Sequence, residues 1–250
     1  IEPSDMTLYF PRYSNTWVGF TNTSYAMFLQ GDYNVTDTVS LTAGLRQNWD
    51  ERHADIYNRA YIGAVSTTDL SCRFTLDQDG NPATPETRPN LAGCHFIGNA
   101  SFNELTYNLS LQYKPTDGVL VYAAHRHGYR TGGFGARGNS QATLGDTFAP
   151  EKVDDVELGV KADWHIGDAF LRTNVAAFSA KYKDMQRILI QNPPGSPPVT
   201  LTTNAGRARI QGIEFETLFR PVSMFELSGF YTYTDAKFQE YVGPNGDDLS

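Results

Sequence analysis

The sequence predicts an all-β chain, an antiparallel transmembrane β-barrel of which about eight strands are present. Three observations carry the prediction. Val156, Leu158, Val160, Ala162 and Trp164 share one parity, while Asp155, Glu157, Gly159, Lys161 and Asp163 share the other. That period of two describes a strand with one oily face and one charged face. The connections alternate between short turns and long loops, as a barrel with one turn side and one loop side requires. Finally, 14 Tyr and 15 Phe form a heavy aromatic load, much of it near strand ends, where interfacial girdles lie. A soluble sheet also favours aromatics, so the third observation supports the first two rather than standing alone.

Bulk properties narrow the classes. A chain of 250 residues is long enough for one large β domain. Its formal net charge of −8 argues against a nucleic-acid partner. There is no apolar run long enough for a membrane-spanning helix, which leaves a barrel possible because barrel strands show lipid only at alternate residues. A mean hydropathy of −0.41 suits a barrel and a soluble protein alike. The chain opens at Ile1 without a charged or apolar leader and stops in a Gly/Pro/Asn/Asp stretch. A piece of a longer protein is therefore expected.

In chain order, residues 1–23 read as the top of a strand and a surface loop. Residues 24–33 form a strand, and 34–37 a tight turn. The next strand has Val39, Leu41, Ala43, Leu45 and Trp49 facing one way, with Ser40, Thr42, Gly44, Arg46, Asn48 and Asp50 opposite. Residues 51–101 lack a convincing period and read as a long loop, which an ordinary compact sheet would not tolerate. It holds both cysteines, Cys72 and Cys94, which in an envelope protein most simply form a disulfide. Such a ring would stabilise the loop by about 3 kcal/mol. Two free thiols in a reducing compartment are the alternative.

The pattern resumes with Leu105, Tyr107, Leu109, Leu111 and Tyr113 alternating against Thr106, Asn108, Ser110 and Gln112. On this parity Leu109 is expected to face hydrocarbon near mid-depth. A turn follows at 114–118, then a return strand, 119–127, that is apolar on both parities at first. Residues 128–149 form a glycine-rich loop, and 150–182 the central strand pair, broken by His165-Ile-Gly-Asp168. Residues 183–203 read as another long loop. Two last strands, 210–219 and from Leu227 upward, flank a turn at Arg220-Pro-Val-Ser223. Tyr33, Tyr113, Tyr122, Trp164, Phe170, Phe219 and Phe225, all near short turns, are the expected girdle.

Four segments bring a family into view. G-Y-R-T-G-G-F at 128–134 and P-E-K leading into V-E-L-G-V-K at 150–161 come first, followed by F-S-A-K-Y-K-D-M at 178–185 and N-A-G-R-A-R-I-Q-G-I-E at 204–214. Together they resemble, in order and at plausible spacing, segments of TonB-dependent outer-membrane receptors. The resemblance covers about residues 102–241 and leaves 51–101 without a counterpart. It implies a barrel of roughly 22 strands plugged by an N-terminal domain. It further implies uptake of a scarce bulky nutrient, typically a ferric siderophore, with energy from the TonB complex. Residues 1–250 would be part of that barrel, with the plug, the TonB-contacting box and the C-terminal strand outside them. The implied partners are the ligand, the lipid of a Gram-negative outer membrane and, through the missing N-terminal region, the TonB complex. No cofactor is implied.

Candidate sites are sparse. Arg130, Phe134 and Arg137 in the glycine-rich loop are the candidates for meeting an anionic, aromatic-bearing ligand such as a ferric catecholate or hydroxamate. Arg and Phe equally serve to pack and solvate a loop. His125 and His127, two apart on a strand, share a face but lack a third metal ligand at characteristic spacing, so a polar pair at the lumen rim is expected. Asp77-Gln-Asp-Gly-Asn81 fails the EF-hand pattern and reads as a solvated turn, with a surface calcium site the alternative. Gly132-Gly-Phe-Gly135 lacks the Lys-Ser/Thr of a phosphate loop, and no nucleophile elbow occurs. The sequons at Asn22, Asn34, Asn99 and Asn108 read as chance. No enzyme is expected. The competing classes are an outer-membrane protease or lipase, and a small non-transport barrel or soluble adhesin.

Overall fold

A computed structural model of the chain describes residues 13–61, 70–72, 94–136, 144–191, 199–241 and 243. In chain order its strands are β1 (Tyr13–Asn34), β2 (Val39–Tyr61), β3 (Leu70–Cys72), β4 (His95–Thr116), β5 (Val119–Arg130), β6 (Gly133–Phe134), β7 (Thr147–Phe148), β8 (Glu151–Ile166), β9 (Ala169–Lys183), β10 (Gln186–Gln191), β11 (Val199–Asn204), β12 (Gly206–Val222) and β13 (Phe225–Tyr241). There is no α-helix among the described residues. The main sheet runs β1-β2-β4-β5-β8-β9-β12-β13, every pair antiparallel, with β3 added beside β2. Its ends, β1 and β13, do not meet, so the sheet is an open strip of barrel wall.

Cross-strand register converts the sequence alternation into rows. One row reads Tyr113, Val121, Val160, Val175, Phe215, Tyr231 across β4, β5, β8, β9, β12 and β13. The next reads Leu111, Ala123, Leu158, Ala177, Ile213, Tyr233. These rows share one face, and Leu158 on it remains 58% exposed. A contiguous apolar surface spanning six strands has no place in water. Turned to lipid, it is the outside of a barrel. The opposite face carries Asp32, Thr42, Arg46, Glu104, Asn108, Arg126, Glu157, Lys161 and Glu216, the composition of a wet lumen.

The tight turns at 35–38, 117–118, 167–168 and 223–224 all lie at one end of the sheet. Bulges between Tyr113 and Thr116 and between Phe219 and Val222 adjust the register just before two of them. Tyr33, Tyr113, Trp164 and Phe219 stand on the outer face at this end, where a girdle belongs. Tyr122 and Phe170 do not join it. Tyr122 turns inward and donates to Glu157 at 2.6 Å, and Phe170 lies in the lumen under the Arg172 guanidinium, 5.5 Å from its ring centre.

Three loop expectations need correction. β1 begins at Tyr13, β2 continues past Asp50 to Tyr61, and β4 starts at His95, so much of the expected loop 51–101 is strand standing above the apolar band. Residues 128–149 contain the β6–β7 pair, and 183–203 contain the β10–β11 hairpin. Leu109 does face outward, on the parity of Leu111 and Tyr113, with His125 as its partner on β5.

Candidate functional site

At the loop end the four motif segments converge. The Gln186 side-chain amide donates to the carbonyls of Thr131 at 2.9 Å and Ala149 at 3.0 Å, while its oxygen accepts from Arg130 Nε at 2.7 Å. Its backbone N–H donates to Glu151 Oε2 at 2.8 Å. Asn204 exchanges bonds with the Ala149 backbone, accepting at 2.7 Å and donating at 2.9 Å, and donates to Asp184 O at 2.7 Å. Gln186 is buried, so each of these bonds replaces one that water would otherwise supply. The motif residues Glu151 and Asn204 are thus staples that fix where the glycine-rich loop leaves and re-enters the wall.

That loop folds over the inner face of the raised β2 and β4 strands. Phe134 is buried with Ala54, Ile56, Cys94 and Leu144, flanked by Val18, Phe96 and Ala100. The Phe96 and Phe134 rings meet at 5.6 Å. Gly145, at φ +77°, presses its backbone on the Phe96 ring, where a Cβ would lie 2.3 Å from Cδ1. The position demands glycine for both reasons.

Below this cap the lumen wall is ionic. Arg126 donates through Nε to Asp155 at 2.7 Å and also grips Glu157, which accepts from Tyr122 as well. Gly159, in the V-E-L-G segment, makes room for the Tyr122 ring, since a Cβ there would sit 2.3 Å from Cζ. Arg172 clasps Asp163 with two bonds of 2.7 Å nearer the turns. The β4–β5 ladder ends at Tyr107 and His127. Above that point Tyr129 and Lys152 reach across to β2 and β4: the Tyr129 hydroxyl donates to Asp50, and Lys152 Nζ lies 2.8 Å from Glu104. Asp50 is buried and also accepts from Ser24 at 2.5 Å.

The candidate ligand contacts separate. Arg130 is exposed at the mouth with its Nε held by Gln186. Phe134 is only 8% exposed and anchors the cap. Arg137 lies outside the described residues, as does the 77–81 segment. Cys94 is fully buried and disulfide-bonded, while the Cys72 side chain lies outside the described residues. His125 and His127 are not at the lumen rim. They follow Val121 and Ala123 onto the outer face, where His127 bonds Asp154 at 2.6 Å and stacks on Tyr107 at 5.4 Å. No group of three or more potential metal ligands occurs among the described residues. Sequence reading missed Gln186, which carries no motif of its own.

An apolar outer wall, an ionic inner wall, tight turns at one end and folded loops at the other define a membrane-spanning antiparallel β-barrel. The sequence model described as "TonB dependent receptor-like, beta-barrel" matches residues 3–250, and the chain belongs to that family. The family consists of transporters rather than enzymes, and its proteins reside in the outer membrane of Gram-negative bacteria. Among curated proteins, the ferric-pyoverdine M114 receptor PbuA of Pseudomonas sp. (strain M114) is 27% identical over 124 residues, covering 50% of this chain and 14% of that receptor. Among solved structures, the ferric yersiniabactin uptake receptor FyuA from Yersinia pestis superposes with a TM-score of 0.64 at 20% identity. That match covers 91% of this chain and 29% of FyuA. The siderophore receptor PiuA from Acinetobacter baumannii gives 0.57 at 17% identity, covering 93% and 28%. The chain therefore spans less than a third of each of these receptors.

Proposed function

We propose that this chain is part of the wall of an outer-membrane receptor that takes up a ferric siderophore with energy delivered by the TonB complex. The observation that carries the reading is the family match along the whole described sheet. The names of the similar receptors, for ferric-pyoverdine and ferric yersiniabactin, support a ferric siderophore as the substrate class. The strip belongs to a closed barrel of roughly 22 strands whose lumen is filled by a plug. Open edges cannot face lipid, so the remaining strands complete the wall. The contact with TonB belongs to the rest of the protein.

Within this strip, Arg130 at the mouth is one ligand contact and Arg137 a second, their cationic donors suited to an anionic chelate. Phe134 anchors the glycine-rich loop. Cys94 pairs with Cys72, the other cysteine of the chain, and ties the far connection to the same cap. The test is uptake of radioactive iron by iron-starved cells supplied with siderophores one at a time. Deleting the gene should abolish uptake of one siderophore, and deleting TonB should abolish that uptake together with every other it energises. In the full-length receptor, Arg130→Gln with Arg137→Gln should raise the apparent Kd on the order of tenfold or more, with normal surface abundance. Iron and siderophore uptake that is indifferent to the deletion overturns the reading.

A further inference from the structure

On the loop side of the membrane-spanning rows, β1, β2 and β4 rise together as a blade that is open along one side. β2 and β4 stay paired in unbroken register up to Tyr57 and His95. β5 leaves β4 at Tyr107 and His127, and its last residues, 128–130, pair only with β8. From 96 to 106, therefore, β4 has a strand on one side alone. Among the described residues no strand and no backbone hydrogen bond reaches it from the other side. Tyr129 and Lys152 meet the blade through side chains, at Asp50 and Glu104, and leave that row of backbone groups unanswered.

Such an edge presents unpaired N–H and C=O groups, a template for another strand. Sheets usually protect it with proline, lysine, a bulge or an inward-pointing charge. Residues 96–103 read F-I-G-N-A-S-F-N, without a proline or a charge, and their pairing with β2 has no bulge. The two faces of this stretch differ. Outward stand Ile97, 60% exposed, and the exposed Asn99, Ser101 and Asn103. Inward, Phe96 and Ala100 pack on the cluster around Phe134, and the Phe102 ring lies against Gly132. Glu51, opposite Ser101 on the outward face, is exposed and forms no ion pair among the described residues.

We propose that this edge of β4 docks an extended segment of another protein at the cell surface, which adds as an antiparallel strand and carries a Lys or Arg opposite Ser101. The open backbone calls for a peptide, because only a strand returns matching groups at every second residue. Alternation then sets its faces, with apolar residues toward Ala100 and Phe102 and polar ones outward. Ser101 is short enough for a cation on the added strand to reach over it to Glu51, since strands two apart lie about 10 Å from each other. A second copy of this chain fits less well. Two copies in one membrane run β4 in the same direction, so their edges can only pair parallel, the weaker ladder. Neither copy would then bring a cation to Glu51. The proposal rests on the outer-membrane reading, with the loop end outward.

The probe is a fluorescent heptapeptide, Thr-Val-Lys-Val-Thr-Val-Thr, whose Lys falls opposite Ser101 when its first Thr lies opposite Asn103. It is offered to the full-length receptor in mild detergent, and binding is read by anisotropy. An added strand uses the N–H groups of one parity only. Methylating the amides of that parity should weaken binding on the order of tenfold or more, while methylating the other parity should leave it within about twofold. Glu51→Gln should weaken the peptide on the order of threefold and leave unchanged a version with Gln in place of its Lys. Absence of binding at millimolar peptide, or equal loss from both methylated forms, overturns the proposal. A receptor dimer that the peptide dissolves into monomers overturns it too, by giving the edge to a second copy. Impermeant maleimide on intact cells should label Ser101→Cys. A silent site there, with the peptide still bound in detergent, rejects the outward orientation and with it the cell-surface partner.

Discussion

The Tyr129 hydroxyl donates to the Asp50 carboxylate, although 79 residues of chain separate them. The bond spans the place where β4 and β5 cease to pair, just above Tyr107 and His127. With the Lys152–Glu104 contact at 2.8 Å, it replaces backbone ladder by side chains on the loop side of the wall. Removing the hydroxyl in Tyr129→Phe leaves the buried Asp50 with less of its solvation replaced. The expected cost is about 1–3 kcal/mol, felt locally. Hydrogen exchange in the full-length protein should quicken across 128–136 and 144–150 while β8 and β9 near their turn stay protected. Unchanged exchange in those loop segments would show that the stitch is dispensable.

Val160 tests what the outer face touches. It lies midway along the apolar rows of β8, between Ala162 and Leu158. Val160→Arg should cost about 2–4 kcal/mol in bilayers, the penalty for a cation near the midplane of a barrel. Val160→Ala should cost far less, because lipid refills the space a methyl leaves. If the alanine variant unfolds as readily as the arginine variant, the face is a protein core.

Orientation is open to labelling on intact cells. An impermeant maleimide should modify a cysteine at Asp146, in the loop end, and leave one at Asp168, in the Gly167–Asp168 turn, untouched until the cells are lysed. The opposite pattern would invert the barrel and defeat the uptake reading.

The Cys72–Cys94 pairing predicts a reducible cap. Cys94→Ser or mild reduction should destabilise the cluster of Ile56, Phe134 and Leu144 by about 3 kcal/mol in the chain-entropy account. Peptides covering 54–58 and 132–136 should then exchange faster and the membrane-spanning rows should not. Failure of Cys72→Ser to reproduce the effect of Cys94→Ser would refute the pairing.

The membrane-spanning rows were legible because lipid and water impose opposite demands on alternate residues, and β2 and β8 obey both. Past Asp50 that demand lapses. His53, Asp55 and Asn58 meet water or other loops on both faces, so the ladder continues with no period to mark it. Ile56 and Phe134 gave no sign of being partners, since their contact depends on a loop returning from far along the chain. The histidine pair was misplaced because residues 119–124 are apolar on both parities, which hides which face His125 and His127 inherit. The motif segments stood out as strings, yet their meeting point is Gln186, an unremarkable polar residue between Met185 and Arg187. Only the fold brings Arg130, Ala149 and Glu151 to it.

Because every strand on the main path pairs only with the path strands before and after it, with β3, β6–β7 and β10–β11 set aside in the connections, the wall is modular in its register. Val121 opposes Val160, Val160 opposes Val175, and Val175 opposes Phe215 along a single unbroken row. Excising the β8–β9 hairpin would bring Val121 face to face with Phe215, oily side still matched to oily side. Such a wall can widen or narrow by whole hairpins without re-inventing its pattern. The staples at Glu151, Gln186 and Asn204 are what resist such trading, since they bind three different hairpins into one unit.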